Sequence, residues 1–305
     1  MDFDPDRDIP DLDGKVFFIT GGNVGLGKET ILQLCKHNPS HIFLAARSQS
    51  KAVEAISDIQ RSVPNAAPIT AIELDLASFS SVKKAVKEFH AHSSKLNVLV
   101  NNAGIMGCPP GTTEEGYEIQ FGTNHMGHAL LTKLLLPTLQ RTAEISDDVR
   151  IVTLSSNAES WSPSSGYDFA QLKTEMRSVS PFERYGISKI ANIHFSRALS
   201  RRYPTIRCIS VHPGVVGTSL ARGLYASYPV ISPVLRLLHR FITQDVTDGA
   251  KNQLWACVNT EAKSGEFYFP IGAVGKGSKL SGDESLEETL WQWTEDELKP
   301  YDSPC

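Results

Sequence analysis

Six short apolar runs recur along the chain, and longer stretches of helical spacing lie between them. The runs are "KVFFIT", "HIFLAAR", "APITAIEL", "NVLVNN", "RIVTLSS" and "RCISVH". None alternates apolar with polar residues, so each is expected to be a strand buried on both faces, as parallel strands are. The intervening stretches are "GKETILQLCKHN", "SKAVEAISDIQRSV", "SFSSVKKAVKEFHAH", "NHMGHALLTKLLLPTLQRT" and "ISKIANIHFSRALSRRY". Repeated strand–helix–strand units with right-handed crossovers leave few architectures open. The expected fold is α/β: a single doubly wound parallel sheet of Rossmann type, with helices on both faces. No linker rich in Gly, Ser or Pro is long enough to divide the chain. One domain over residues 1–305 is therefore expected, its core at about 14–270. Residues 157–184 and 217–245 break the rhythm, and long irregular insertions in such domains tend to be functional loops.

Charge and cysteine usage exclude several classes. A net charge of -4 and a pI near 6.1 argue against a chain built to bind nucleic acid. Cys35, Cys108, Cys208, Cys257 and Cys305 are scattered and lack CxxC spacing, which suits reduced thiols of an intracellular protein. No metal site is expected: His125 and His128 lie three apart, but no HExxH or carboxylate cluster accompanies them. They read instead as packing beside Asn124. No GxSxG elbow supports a serine hydrolase. The acidic start "MDFDPDRDIPDLDG" does not read as a secretory signal. The most apolar stretch is interrupted by Pro229, Pro233, Arg236, His239 and Arg240, so no transmembrane segment is expected. A cytoplasmic location follows, with peripheral membrane contact left open through Arg236 and Arg240.

The first strand runs into "TGGNVGLGKET". Gly21, Gly25 and Gly27 allow a tight turn and close approach of a ligand, and the following helix directs free N–H groups at it. A strand–turn–helix context of this kind suits a pyrophosphate. The second strand should end at the adenosine ribose, where an NAD enzyme usually places an acid. Here "LAARSQSK" offers Arg47, which can grip a 2′-phosphate with paired hydrogen bonds. Lys28 could add charge nearby. NADP is therefore expected over NAD.

Taken in order, these motifs resemble the short-chain dehydrogenase/reductase family over roughly residues 14–270. "TGGNVGLG" looks like its cofactor turn, and Asp75 with Leu76 like its adenine contact. "NNAG" at 101–104 resembles its fourth-strand signature. "TNHMGH" carries Asn124, "TLSSN" the serine, "YGISK" Tyr185 and Lys189, and "HPGVVGT" the Pro-Gly turn. The likeness is strongest to the branch holding retinol dehydrogenases, WW-domain oxidoreductases and protochlorophyllide reductases. That branch shares the long stretch between serine and tyrosine; no WW-domain sequence is visible here. The resemblance implies a catalytic set of Asn124, Ser156, Tyr185 and Lys189. It implies cofactor contacts from Gly21, Asn23, Gly25, Leu26, Gly27, Lys28, Arg47, Asp75, Leu76, Asn102, Ala103, Gly104, Tyr185, Lys189, Pro213, Gly214, Val216 and Thr218. It also implies pairing of chains, where it occurs, through helices around 115–140 and 184–203; monomer and homo-oligomer both stay open.

Hydride transfer to a carbonyl needs a proton donor beside the oxygen. Four residues apart on a helix, Lys189 sits beside Tyr185 and is expected to lower the phenol's pKa. Of the adjacent Ser155 and Ser156, only one can face the site, and the family pattern places the catalytic serine second. Asn124, in a helix, is expected to pair with a backbone carbonyl. After the Pro-Gly turn, Leu220, Leu224, Tyr225, Tyr228, Val230 and Ile231 suit a lipophilic small molecule, such as a retinoid, steroid, terpenoid or polyketide. The expected activity is NADP-dependent exchange of a hydride with a carbonyl or alcohol, with reduction favoured. The alternative is a non-catalytic NADP-binding sensor or scaffold on the same fold.

Overall fold

Each apolar run becomes a strand in the computed structural model, which describes residues 2–214, 216, 227 and 245–302. These are β1 (Val16–Thr20), β2 (His41–Ala46), β3 (Ile69–Glu73), β4 (Val98–Asn101), β5 (Arg150–Leu154) and β6 (Arg207–Val211). The two-residue β7 (Phe267–Tyr268) joins beyond β6; it is too short to leave a periodic signal in the sequence. The order is β3-β2-β1-β4-β5-β6-β7, with every pair parallel. The edge strand β3 leaves Ile69, Thr70 and Ala71 partly exposed, so burial on both faces does not extend to it. An edge strand has a neighbour on one side only.

The longer helices among the described residues are α1 (Gly25–Cys35), α2 (Gln49–Ser62), α3 (Phe79–His92), α4 (Gly127–Ala143), α5 (Pro181–Arg202), α6 (Val246–Val258) and α7 (Glu284–Leu298). Side chains alternate across the sheet: Phe18 enters the core beneath α3, α4, α5 and α7, while Phe17 and Ile19 enter the core beneath α1, α2 and α6. Serines fix the helix starts. Ser48 accepts the Lys51 N–H, Ser78 that of Ser81, and Ser180 that of Glu183, with Pro181 in the first turn. Helix α5 therefore begins inside the stretch 157–184, and the rest of that stretch forms turns at Asn157–Trp161 and Gln171–Lys173.

Helices α6 and α7 were not read from the sequence. Helix α7 lies across α4 and α5, the helices through which the resemblance implied pairing. Trp291 stacks on Phe195 at 5.4 Å, His125 meets the Thr294 hydroxyl at 3.1 Å, and Lys133 pairs with Glu295 at 2.7 Å. What the fold does for a site is set by strand order. The crossovers reverse direction between β1 and β4, so the loops leaving their carboxyl ends diverge and open a crevice.

Candidate active site

Helix α1 starts without a side-chain cap, so its first N–H groups face the crevice unclaimed by any capping side chain. The turn before it is tightly bounded. A Cβ on Gly27 would collide with the Gly21 carbonyl and lie 2.6 Å from Asn102 Nδ2, so only glycine fits. The Thr20 hydroxyl accepts the N–H groups of Asn102 and Ala103, each at 2.9 Å. Asn102 in turn donates to the Thr20 carbonyl at 2.6 Å and accepts from Gln253 at 3.3 Å. Thr20 and Gln253 escaped the sequence reading. Gln253 arrives from α6 and belongs to no local motif.

The resulting cleft holds about 580 Å³. It gathers Gly21, Asn23, Gly25, Leu26, Gly27, Arg47, Asp75, Leu76, Asn102, Ala103, Gly104, Tyr185, Lys189 and Pro213 along one wall or another. Arg47 stands exposed at the end of β2, and no carboxylate among the described residues pairs with it. Lys28 stands apart. Its ammonium pairs with Asp58 at 2.6 Å, facing α2, and it does not line the cleft. Gly214 follows Pro213 with φ of 91°, and Val216 lies against Gly249. Thr218 and the apolar residues Leu220, Leu224, Tyr225, Tyr228, Val230 and Ile231 lie outside the described residues.

At the other end of the cleft, Tyr185 and Lys189 share one side of α5, both almost wholly buried. The Lys189 ammonium donates to the Leu154 carbonyl at 3.0 Å and stands 5.4 Å from the centre of the Tyr185 ring. Ser156 hydrogen-bonds the Tyr185 hydroxyl, while its oxygen accepts the Ala158 N–H at 3.1 Å. Ser155 donates to the Lys189 carbonyl at 2.7 Å, which leaves its proton committed to α5. The two serines thus have separate duties. Ser156→Ala is expected to cost on the order of 10²–10³ in turnover, as for a lost oxyanion donor, and Ser155→Ala far less. Steady-state kinetics on both variants checks this; a large loss at Ser155 with little at Ser156 would reverse the assignment.

Asn124 sits in a π turn, Gly122–Met126, not in a regular helix. Such turns recur at functional sites. Its side chain accepts the Ile105 N–H at 2.8 Å and donates to the Ile105 carbonyl at 2.9 Å and to Ser188 at 2.9 Å. His128 bridges the Asn124 carbonyl at 3.0 Å and the Thr20 hydroxyl at 2.9 Å. The residue before Tyr185 is also held. Arg184 forms a fully buried ion pair with Glu118 at 2.6 Å and donates to the Cys108 carbonyl at 2.8 Å.

Electrostatics depart from the sequence reading at one point. Burial pushes the Tyr185 phenol up, against the opposing hydrogen bond from Ser156. The net direction is upward although the Lys189 ammonium lies 5.4 Å from the ring centre. Burial lowers Lys189 itself to about 8. The phenol is therefore protonated at neutral pH and stands ready as an acid.

Burial also lowers His125 to about 3 and His128, His194 and His212 to about 4. The unfolded chain takes up protons at these sites near pH 6.5, while the folded chain resists until about 3–4. Their stabilising contribution is complete above 6.5 and is lost as pH falls through that window, on the order of 3 kcal/mol each. Urea midpoints are expected to drop steeply between pH 6.5 and 4. A midpoint unchanged across that range would show that these rings are not buried neutral.

Comparison with known proteins supplies the context. A family profile described as short chain dehydrogenase matches residues 15–167. A short-chain dehydrogenase/reductase of Armillaria gallica is 38% identical over 96% of this chain and 93% of its own. The crystal structure of an uncharacterized protein from Mycobacterium paratuberculosis superposes with a TM-score of 0.71 at 28% identity, covering 96% of each chain. Two more distant structures share the fold. A short chain dehydrogenase from Escherichia coli CFT073, complexed with NADPH, gives a TM-score of 0.63 at 18% identity, over 85% and 97% of the chains. A 3-ketoacyl-(acyl-carrier-protein) reductase from Brucella melitensis, complexed with NADH, gives 0.63 at 20%, over 86% and 98%.

Proposed function

Because the chain belongs to the short-chain dehydrogenase/reductase family, we propose that it is an NADP-dependent oxidoreductase acting on a carbonyl or alcohol of a lipophilic small molecule, with reduction favoured. The observation that carries this reading is the meeting of Tyr185 and Lys189 at one end of a cleft whose other end presents Arg47, with Ser156 beside the Tyr185 hydroxyl. The cradle suits a dinucleotide: Gly27 has no room for a side chain, and α1 points uncapped N–H groups at it. Bound NADPH supplies the hydride; the chain's own residues position the carbonyl and handle the proton.

Tyr185 donates its proton to the carbonyl oxygen as the carbon is reduced. The Ser156 hydroxyl, which bonds Tyr185 in the free protein, turns its one proton to the same oxygen, orienting it. The phenolate left behind keeps the Lys189 ammonium beside its ring. Asn124 ties residue 105 to the π turn and to Ser188, one residue before Lys189, and so fixes the wall facing α5. The lipophilic substrate is read from the apolar residues between 217 and 245. Within that stretch the Ser227 hydroxyl donates to the Gly107 carbonyl at 2.5 Å, beside the loop that borders the cleft. A retinoid, steroid, terpenoid or polyketide fits this chemistry, as does a cytoplasmic location for a chain whose described cysteines are all free.

Cofactor choice is the testable core of the reading. Among the described residues no carboxylate pairs with Arg47 and no acid takes its place to hold ribose hydroxyls, which suits a 2′-phosphate. NADPH is expected to bind much more tightly than NADH, and Arg47→Asp to erase or reverse the preference. Equal dissociation constants for the unaltered protein, measured by quenching of its fluorescence, would overturn it.

A further inference from the structure

We infer that Trp161 determines specificity: its indole forms a wall of the carbonyl site and favours substrates whose carbonyl is attached to a flat, apolar ring system. This rests on the proposed role of Tyr185. The turn bearing Trp161 begins directly after Ser156, the residue hydrogen-bonded to the Tyr185 hydroxyl. It is held from several sides. Ser160 donates to the Asn157 carbonyl at 2.9 Å and Ser162 to that of Glu159 at 2.7 Å. The buried Glu159 carboxylate accepts the N–H and hydroxyl of Ser278 at 2.7 and 2.5 Å. Helix α5 presses against the turn at Gly186, where a Cβ would stand 2.8 Å from both the Ala158 carbonyl oxygen and the Ser162 nitrogen.

On that fixed backbone the indole is 49% exposed. Its ring meets Phe182 at 5.6 Å, perpendicular, and Tyr185 at 6.4 Å, tilted by 52°. A large apolar ring held rigidly and left half in water forgoes burial that the fold could otherwise use. Its position beside the acid gives that open face an occupant. A carbonyl hydrogen-bonded to Tyr185 carries its substituents past the indole, and a flat ring there gains both apolar burial and an aromatic contact. A puckered saturated ring gains only part of the burial.

The test compares 2-acetonaphthone with its decahydro counterpart, which has the same carbon skeleton without the flat rings. Trp161→Leu is expected to lower kcat/KM for the naphthyl ketone roughly 10- to 30-fold, with a several-fold smaller loss on the saturated ketone. Trp161→Phe should recover most of the naphthyl activity. NADPH affinity, measured alongside, reports that the fold is intact. Equal losses on both ketones, or no loss on either, would overturn the inference. Equilibrium dialysis of each ketone against the unaltered and Trp161→Leu proteins reads the same contact without turnover. If NADPH is neither bound nor consumed, the proposed function fails, and dialysis still decides Trp161. Preferential binding of the naphthyl ketone, lost in Trp161→Leu, sustains the wall; equal binding by the two proteins removes it.

Discussion

Tyr185→Phe is expected to abolish carbonyl reduction, by roughly 10³-fold or more, while NADPH affinity changes only a few-fold. The ring remains to fill its buried space between Lys189 and Trp161, so the cleft keeps its shape. What disappears is the proton. General acid catalysis by a positioned side chain contributes about 10²–10⁴, and the hydroxyl also anchors the oxygen's hydrogen bond. The direction of the phenol's pKa shift strengthens the case, since burial keeps it protonated at neutral pH. Lys189→Met should harm both turnover and cofactor affinity, because its ammonium borders the cleft as well as the ring. Single-turnover kinetics with saturating NADPH separates the chemical step from binding. Near-full activity in Tyr185→Phe would show that another group donates the proton.

Arg184→Met is expected to be the most destabilising single change among the residues bordering the site. It strands the Glu118 carboxylate in a place with no solvent, and breaking a buried ion pair costs about 3–5 kcal/mol. The Cys108 carbonyl loses its donor as well. Adding Glu118→Gln should recover more than half of the loss. Glutamine still offers an oxygen to the Phe121 N–H, which Glu118 now accepts at 2.7 Å, but carries no charge. Urea unfolding of the single and double variants checks the cycle. If the double variant were no more stable than Arg184→Met, the cost would come from packing, not from an unpaired carboxylate. Arg184 also fixes the chain one residue before Tyr185, so the surviving folded fraction of Arg184→Met should turn over slowly.

Some of this was legible in the residues because their patterns are local. Six apolar runs are six strands, and one Gly-rich turn after the first strand forms the floor of the cleft. The pair Tyr185 and Lys189 is set by helical spacing alone, and the alternation of a strand separates Ser155 from Ser156. What the sequence hid depends on residues far apart. The π turn at Asn124 follows from tertiary packing and has no propensity signature. Lys28 looked like a phosphate ligand beside the turn, but Asp58 of α2 claims it. The Arg184–Glu118 pair joins positions whose side chains give no hint of each other, and α7 covers a helix face that periodicity could not assign to any partner. The net upward direction at Tyr185 was hidden for a related reason. Spacing places two groups side by side but does not say how deeply both are buried.

The most direct test of the account is NADPH oxidation, followed by absorbance, with a panel of lipophilic ketones and aldehydes and with NADH in parallel. The account predicts carbonyl-dependent consumption of NADPH that is far faster than that of NADH and absent in Tyr185→Phe. Tight NADPH binding with no consumption by any carbonyl or alcohol in either direction would contradict it and leave the cleft a cofactor sensor.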